Sequence, residues 1–138
     1  MSVTATETTA AAAWIAARLA ASAVLERVPV YRDEAPAGAV FPHVVYSVFP
    51  PGEDEVTATG YRVAAPLSFE VWAVGRDTAP DAEALAIDAA LHRQHSQATE
   101  GWTVLSCLRT APVDDGAEVF NGRTYRRLGG TYTLMLGV

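Results

Sequence analysis

Between Pro29 and Phe49 the chain reads PVYRDEAPAGAVFPHVVYSVF, and this stretch limits the possible folds more than any other. Val30, Tyr31 and Arg32 suit a short extended segment. It runs into an acidic loop punctuated by proline and glycine, Asp33 to Gly38, and the chain resumes at the pair Phe41-Pro42. From His43 to Phe49 the residues are β-branched or aromatic except for Ser47, which predicts a strand covered on both faces for part of its length. A returning strand is expected from Tyr61 to Val74. There Leu67, Phe69, Val71 and Ala73 alternate with Ser68, Glu70 and Trp72, the period of a half-buried strand. Pro66 has no N–H to give a ladder, so the first half of that strand is expected at an edge or a bulge. The intervening PPGEDEVTATG, Pro50 to Gly60, is turn formers and carboxylates, the composition of a mobile hairpin tip.

Helices are expected on both sides of this hairpin. The run TTAAAAWIAARLAASAVLERV has Thr4 and Glu7 at capping-box spacing, and Pro29 marks its end. Trp14, Ile15, Leu19, Leu25 and Val28 form its apolar arc, with alanines that allow close packing on a sheet. It is not read as a signal peptide, because residues 1–13 carry no cation. Arg18 interrupts it well short of the roughly 20 apolar residues that span a bilayer. A second helix is expected from Pro80 to His95, with Asp77, Thr78 and Asp81 as caps and Ala84, Ile87 and Leu91 as its buried stripe. Asp88 and His92 point elsewhere. Strands Trp102–Val113 and Arg123–Leu136 close the chain, joined by a segment with the turn dipeptides Asp115-Gly116 and Asn121-Gly122. The reading is one domain, residues 1–138, of class α+β. Its order α-β-β-β-α-β-β gives a mixed, mostly antiparallel sheet of four to five strands with both helices on one face.

Half of the 138 residues are apolar, enough for a real core. Sixteen carboxylates face ten bases, which argues against a protein that grips nucleic acid through a broad basic face. All ten bases are arginine, which fits either bidentate pairing at interfaces or a GC-rich coding bias. The single cysteine, Cys107, cannot form an internal disulfide and favours a reducing setting.

Candidate chemistry is sparse. His92 and His95 are three residues apart, but neither a third ligand nor a glutamate base accompanies them, and a position near a helix C-terminus explains the pair better. His43 reads as a half-buried packing residue. Cys107 has no adjoining base and reads as a small buried hydrophobe. Gly129-Gly130 inside a strand reads as a bulge or a close backbone contact. Asp33, Glu34, Asp114 and Asp115 lie in polar loops, which do not raise a carboxyl pKa as acid–base catalysis requires. No catalytic residue, cofactor or metal is assigned.

One charge pattern stands out. Glu53, Asp54 and Glu55 make an acidic tip on the hairpin, while Arg123, Arg126 and Arg127 cluster at the start of the last strand. These are two solvated loop ends, or they are complementary halves of a heterologous contact repeated around a ring. In the second case Trp72 and Phe120 are the aromatic anchors.

The succession of a helix, the Val30-Tyr31 segment, Phe41-Pro42, two long strands, a second helix and two more strands resembles the tail-terminator (tail-completion) proteins of long-tailed bacteriophages. The family shares a "vYd...P....fPyv" segment, and the resemblance runs from about Trp14 to Leu136. It implies a structural virion protein and not an enzyme. Such proteins form a homo-hexameric ring at the head–tail junction that caps the tail tube, stops its polymerisation and presents a docking surface to the head connector or stopper. The implied partners are therefore other copies, the tail tube protein and that connector, assembled in the host cytoplasm, with no membrane. Genomic DNA would pass through the ring without specific binding, which an acidic protein suits. The residues before Trp14 and the acidic tip depart from the family. The alternatives are another head–tail joining or tail-tube component, or a small α+β ligand-binding module or enzyme.

Overall fold

Thr6 opens the first helix: its hydroxyl accepts the Thr9 N–H at 3.3 Å, and α1 runs Glu7–Ala20. The computed structural model describes residues 5–49, 55–56, 62–63 and 66–137, with 55, 56, 62 and 63 described for the backbone alone. Thr4, expected as the cap, lies outside them. The helix stops well before Pro29, and the chain continues through turns in which Leu25 and Val28 donate to the carbonyls of Ser22 and Leu25. Leu25, expected on the helix's apolar arc, is buried in the core from this turn instead.

The strands are β1 Val30–Arg32, β2 His43–Val48, β3 Glu55–Val56, β4 Arg62–Val63, β5 Leu67–Arg76, β6 Gln97–Thr99, β7 Trp102–Phe120 and β8 Arg123–Gly137. They exceed the four to five expected. β3 and β6 are the unforeseen ones: Glu55-Val56 falls in the stretch expected as a hairpin tip, and Gln97-Ala98-Thr99 carries no apolar alternation. Six strands lie side by side as β1-β2-β5-β8-β7-β6, and β1–β2 is the parallel pair among them. β3 and β4 extend β2 and β5 outward: Glu55 pairs with Val63, and Val63 in turn stands opposite Gly137 of β8. Pairings on β8 slip by one residue between Val63–Gly137 and Leu67–Leu134, which brackets Pro66 and matches its missing donor.

Helix α2 spans Asp81–Leu91, shorter than the expected Pro80–His95. His92 turns extended and Arg93 takes a left-handed φ of 62°, so Gln94 can bridge to Cys107 of β7. Its buried face is Ala86, Ile87, Ala90 and Leu91, with Ala84 half-buried. No side chain caps it. Asp77, expected to do so, is committed to β8 as described below.

Both helices contribute to one apolar cluster with the inward residues of the sheet: Leu67, Phe69 and Val71 of β5, Trp102 and Val104 of β7, and Tyr132, Leu134 and Leu136 of β8. Phe69 and Tyr132 stack with centroids 5.2 Å apart. Trp102 Nε1 donates to the Ala5 carbonyl at 3.0 Å and Trp14 Nε1 to Gln97 Oε1 at 2.7 Å, so the buried indoles also tie α1 to the sheet.

β7 runs on to Phe120, beyond the expected end at Val113. The Asp115-Gly116 dipeptide is not a turn. It is a bulge within the strand: the register shifts between Asp114–Leu128 and Ala117–Arg126, and Gly116 has φ +75°. The hairpin closes at Asn121-Gly122, with φ of 50° and 74°. Two further register shifts on β7 add to the curl of the sheet.

Candidate functional site

The alternation of β5 leaves one face of the sheet without a helix. Trp72 and Val74 project there, on the side opposite Phe69 and Val71. The Arg127 guanidinium lies over the Trp72 ring, 5.1 Å from its centroid, and Arg127 also pairs with Asp115 across the hairpin. The bulge at Asp115-Gly116 is what aims that carboxylate at the arginine.

The other two arginines of the cluster are likewise engaged inside the chain. Arg126 forks onto Asp114, with its closer contact at 3.0 Å. Arg123 Nε donates to Asp77 at 2.6 Å, and the Thr124 N–H donates to the same carboxylate at 3.0 Å, while the Asp77 N–H donates back to the Thr124 carbonyl. The Asp77 contacts brace the end of the β7–β8 hairpin against the end of β5, and the other two pairs join its strands to each other. Phe120 and Val119 at its tip are 64% and 71% exposed. Of the expected assembly residues, Trp72, Arg123, Arg126, Arg127 and Phe120 therefore share one hairpin and its flank. Glu55 is placed far along the β2–β5 hairpin by its pairing with Val63, while Glu53 and Asp54 lie outside the described residues.

Hydrogen bonds from Thr124 and Arg123 hold the Asp77 carboxyl below its usual 3.8, and those from Arg126 and Gly116 do the same for Asp114. The folded state thus prefers the ionised form. This contribution is full above 3.8 and fades as pH falls through the depressed values. In an NMR titration the amide shifts of Thr124 and Gly116, which donate to these carboxylates, should inflect below 3.8. An inflection at or above that value would mean that the hairpin braces do not form.

Beside Trp72, an open cleft of about 800 Å³ lies between the Ala35–Phe41 loop and the ends of β5 and β8. The Phe41 ring packs at a tilt against His43, with centroids 4.8 Å apart, and against Tyr125 at 5.5 Å. His43 is buried rather than half-buried, with Nδ1 2.9 Å from the Val40 carbonyl. Arg76 lies over the Phe41 ring, 4.9 Å from the centroid, and among the described residues it forms no hydrogen bond or ion pair. Sequence reasoning missed this cleft. The available signal was the outward alternation of Arg76 and Val74 on β5, but Tyr125 on another strand completes it.

The reactive side chains are otherwise committed. Burial pushes the Cys107 thiol up to about 12, which leaves it protonated and unreactive at neutral pH. Burial beside Asp88, which accepts the Tyr132 hydroxyl at 3.0 Å, raises the Tyr132 phenol. His92 Nδ1 accepts the Arg109 N–H at 3.0 Å, so it is part of the α2–β7 junction, while His95 Nδ1 sits 3.1 Å from Ser96 Oγ. Among the described residues no three His, Cys, Asp or Glu side chains gather as metal ligands. None of their helices is long and apolar enough to cross a membrane.

No family model matches the chain, and no curated protein matches it by sequence. Solved structures do. One is a chain from the virion of a native gene transfer agent particle, which superposes with a TM-score of 0.61 at 20% identity over 89% of this chain and 92% of that one. This chain shares the fold of that virion component. A second solved chain, carrying no functional designation, gives a TM-score of 0.52 at 18% identity over 88% of this chain and 93% of its own. The shared fold spans nearly the full length of each chain.

Proposed function

We propose that this protein is a structural virion component, a ring-forming tail terminator of a phage-like particle. The observation that carries the reading is the likeness, along almost the whole of both chains, to a chain of a gene transfer agent virion. The order of elements and the Phe41-Pro42 segment supply the finer assignment. In this role six copies form a ring on the last layer of the tail tube, stop its growth and present the opposite surface to the head connector. Trp72, Phe120 and the hairpin braced by Arg123, Arg126 and Arg127 form one side of the subunit contact, and the acidic segment Glu53, Asp54, Glu55 belongs to the other. The sheet face without helices supports this division, because the half-buried Trp72 lies on it. An interface of roughly 800 Å² per partner suffices for a specific contact. The net charge of −6 suits a ring through which DNA passes without being held.

No catalytic step is part of this function. In particle-producing cells lacking the protein, tails should be overlong or irregular and remain separate from filled heads. Returning the protein should restore joined particles of uniform tail length. Tails absent altogether in its absence would instead make it a tube subunit.

A further inference from the structure

The arginines that the sequence offered as acceptors for the acidic hairpin are already paired: Arg123 with Asp77, Arg126 with Asp114 and Arg127 with Asp115. A neighbour's carboxylate could engage them only by displacing an aspartate held in the same hairpin. Arg76 is different. It is exposed, packs over the Phe41 ring and forms no ion pair among the described residues. The cleft beside it has an aromatic floor of Phe41, His43 and Tyr125 and an apolar wall that includes Ala39 and Val40. A guanidinium held against an aromatic ring keeps its N–H fork directed outward, which suits a carboxylate ligand.

The same chain contains a segment of complementary chemistry, Pro50-Pro51-Gly52-Glu53-Asp54-Glu55, three carboxylates preceded by two prolines. Prolines pack well on aromatic surfaces in an extended conformation. Arg76 pairs with Tyr125 of β8, whereas Glu55, the last residue of that segment, pairs with Val63, which stands opposite Gly137. From Tyr125 to Gly137 the strand rises about 40 Å at roughly 3.3 Å per residue. Glu55 and the cleft of one molecule thus lie at opposite ends of one ladder. A donor at one end and an acceptor at the other make a head-to-tail contact, the kind that closes into a ring when the rotation between copies permits.

We propose that the cleft formed by Arg76, Phe41 and Tyr125 receives the acidic segment Glu53-Asp54-Glu55 of a neighbouring copy of this chain. The contact rests on the ring reading above and supplies the joint between its subunits. Charge attraction draws the copies together, and the proline–aromatic packing fixes register. The contact weakens with salt, because the Arg76 side of it is exposed to solvent.

Disulfide trapping in the full-length protein tests it, since Cys107 is buried and its thiol is held protonated. Asp54→Cys and Arg76→Cys variants are oxidised separately, mixed in equal amounts, and combined in one chain. Separately each should stay uncrosslinked, the mixture should give a covalent dimer, and the double variant should give a ladder of higher oligomers or a closed ring. A mixture without heterodimer overturns the proposal, whether or not rings are seen by microscopy. A heterodimer with a ladder that passes six copies without closing supports the contact and rejects the ring. In a parallel arm with native cysteine content, Arg76→Glu should weaken self-association at least tenfold, and reversing the tip with Glu53→Arg, Asp54→Arg and Glu55→Arg in the same chain should recover most of it. An Arg76→Glu protein that associates like the original overturns the proposal, as does a charge-reversed pair that recovers nothing. If the cleft instead receives an acidic partner protein, heterodimer formation between copies fails, and that result also decides against it.

Discussion

Replacing Gly129 with alanine is expected to lower the unfolding midpoint by about 10 °C. Gly129 stands opposite Trp72 where β5 and β8 pair, and a Cβ there would lie 1.9 Å from the Val71 carbonyl oxygen and 2.6 Å from the Trp72 Cα. Both atoms are backbone, so relief requires the two central strands to separate. Overpacking of this kind costs about 3 kcal/mol. For a domain of this size each kcal/mol moves the midpoint by roughly 3–5 °C. Gly130→Ala is the control. Its Cβ would meet the Arg109 side chain at 2.7 Å and the Tyr132 ring at 3.2 Å, and the arginine can swing aside. Thermal unfolding followed by circular dichroism should therefore separate the two variants clearly. Equal midpoints would mean that the strands do not approach as closely as their pairing requires.

The second large effect divides stability from assembly on a single strand. Phe69 and Trp72 are three residues apart on β5 and face opposite ways. Phe69 is fully buried against Tyr132, so Phe69→Ala leaves a cavity and costs about 3–5 kcal/mol. Trp72 faces the side without helices and packs under Arg127. Trp72→Ala should leave the monomer folded, with a midpoint within a few degrees of the original, but reduce self-association at least tenfold, as expected for a central aromatic anchor. Sedimentation across a concentration series measures the second quantity and thermal unfolding the first. A Trp72→Ala chain that unfolds as readily as Phe69→Ala would show that its face is part of the core. Unchanged association would remove Trp72 from the interface.

The sequence was legible where one local rule governed each residue. The Leu67–Phe69–Val71–Ala73 alternation predicted which side of β5 is buried, and the run after Phe41-Pro42 predicted a strand buried on both faces, as His43, Val44, Val45 and Tyr46 are. It was less legible where distant residues decide. Asp77 reads locally as a helix cap, but Arg123 and Thr124 lie close enough in space to claim it. Asp115-Gly116 reads as a turn, yet Arg127 across the hairpin and the continuing β7–β8 ladder make it a bulge. β6 forms because β7 offers it an edge, not because its residues prefer strand. The Arg76 cleft is assembled from a loop and two strands and has no contiguous signature. The paired state of Arg123, Arg126 and Arg127 was likewise invisible, since only the strand pairings of β5, β7 and β8 bring Asp77, Asp114 and Asp115 to them.

In the proposed role this chain ends a tail tube as a single ring. Electron microscopy of joined particles carrying a tagged copy of the protein, averaged along and across the tail axis, measures this directly. One tagged layer is expected at the head–tail junction, with six copies around the axis. Tagged layers repeated along the tube, or a layer of another symmetry, would contradict it.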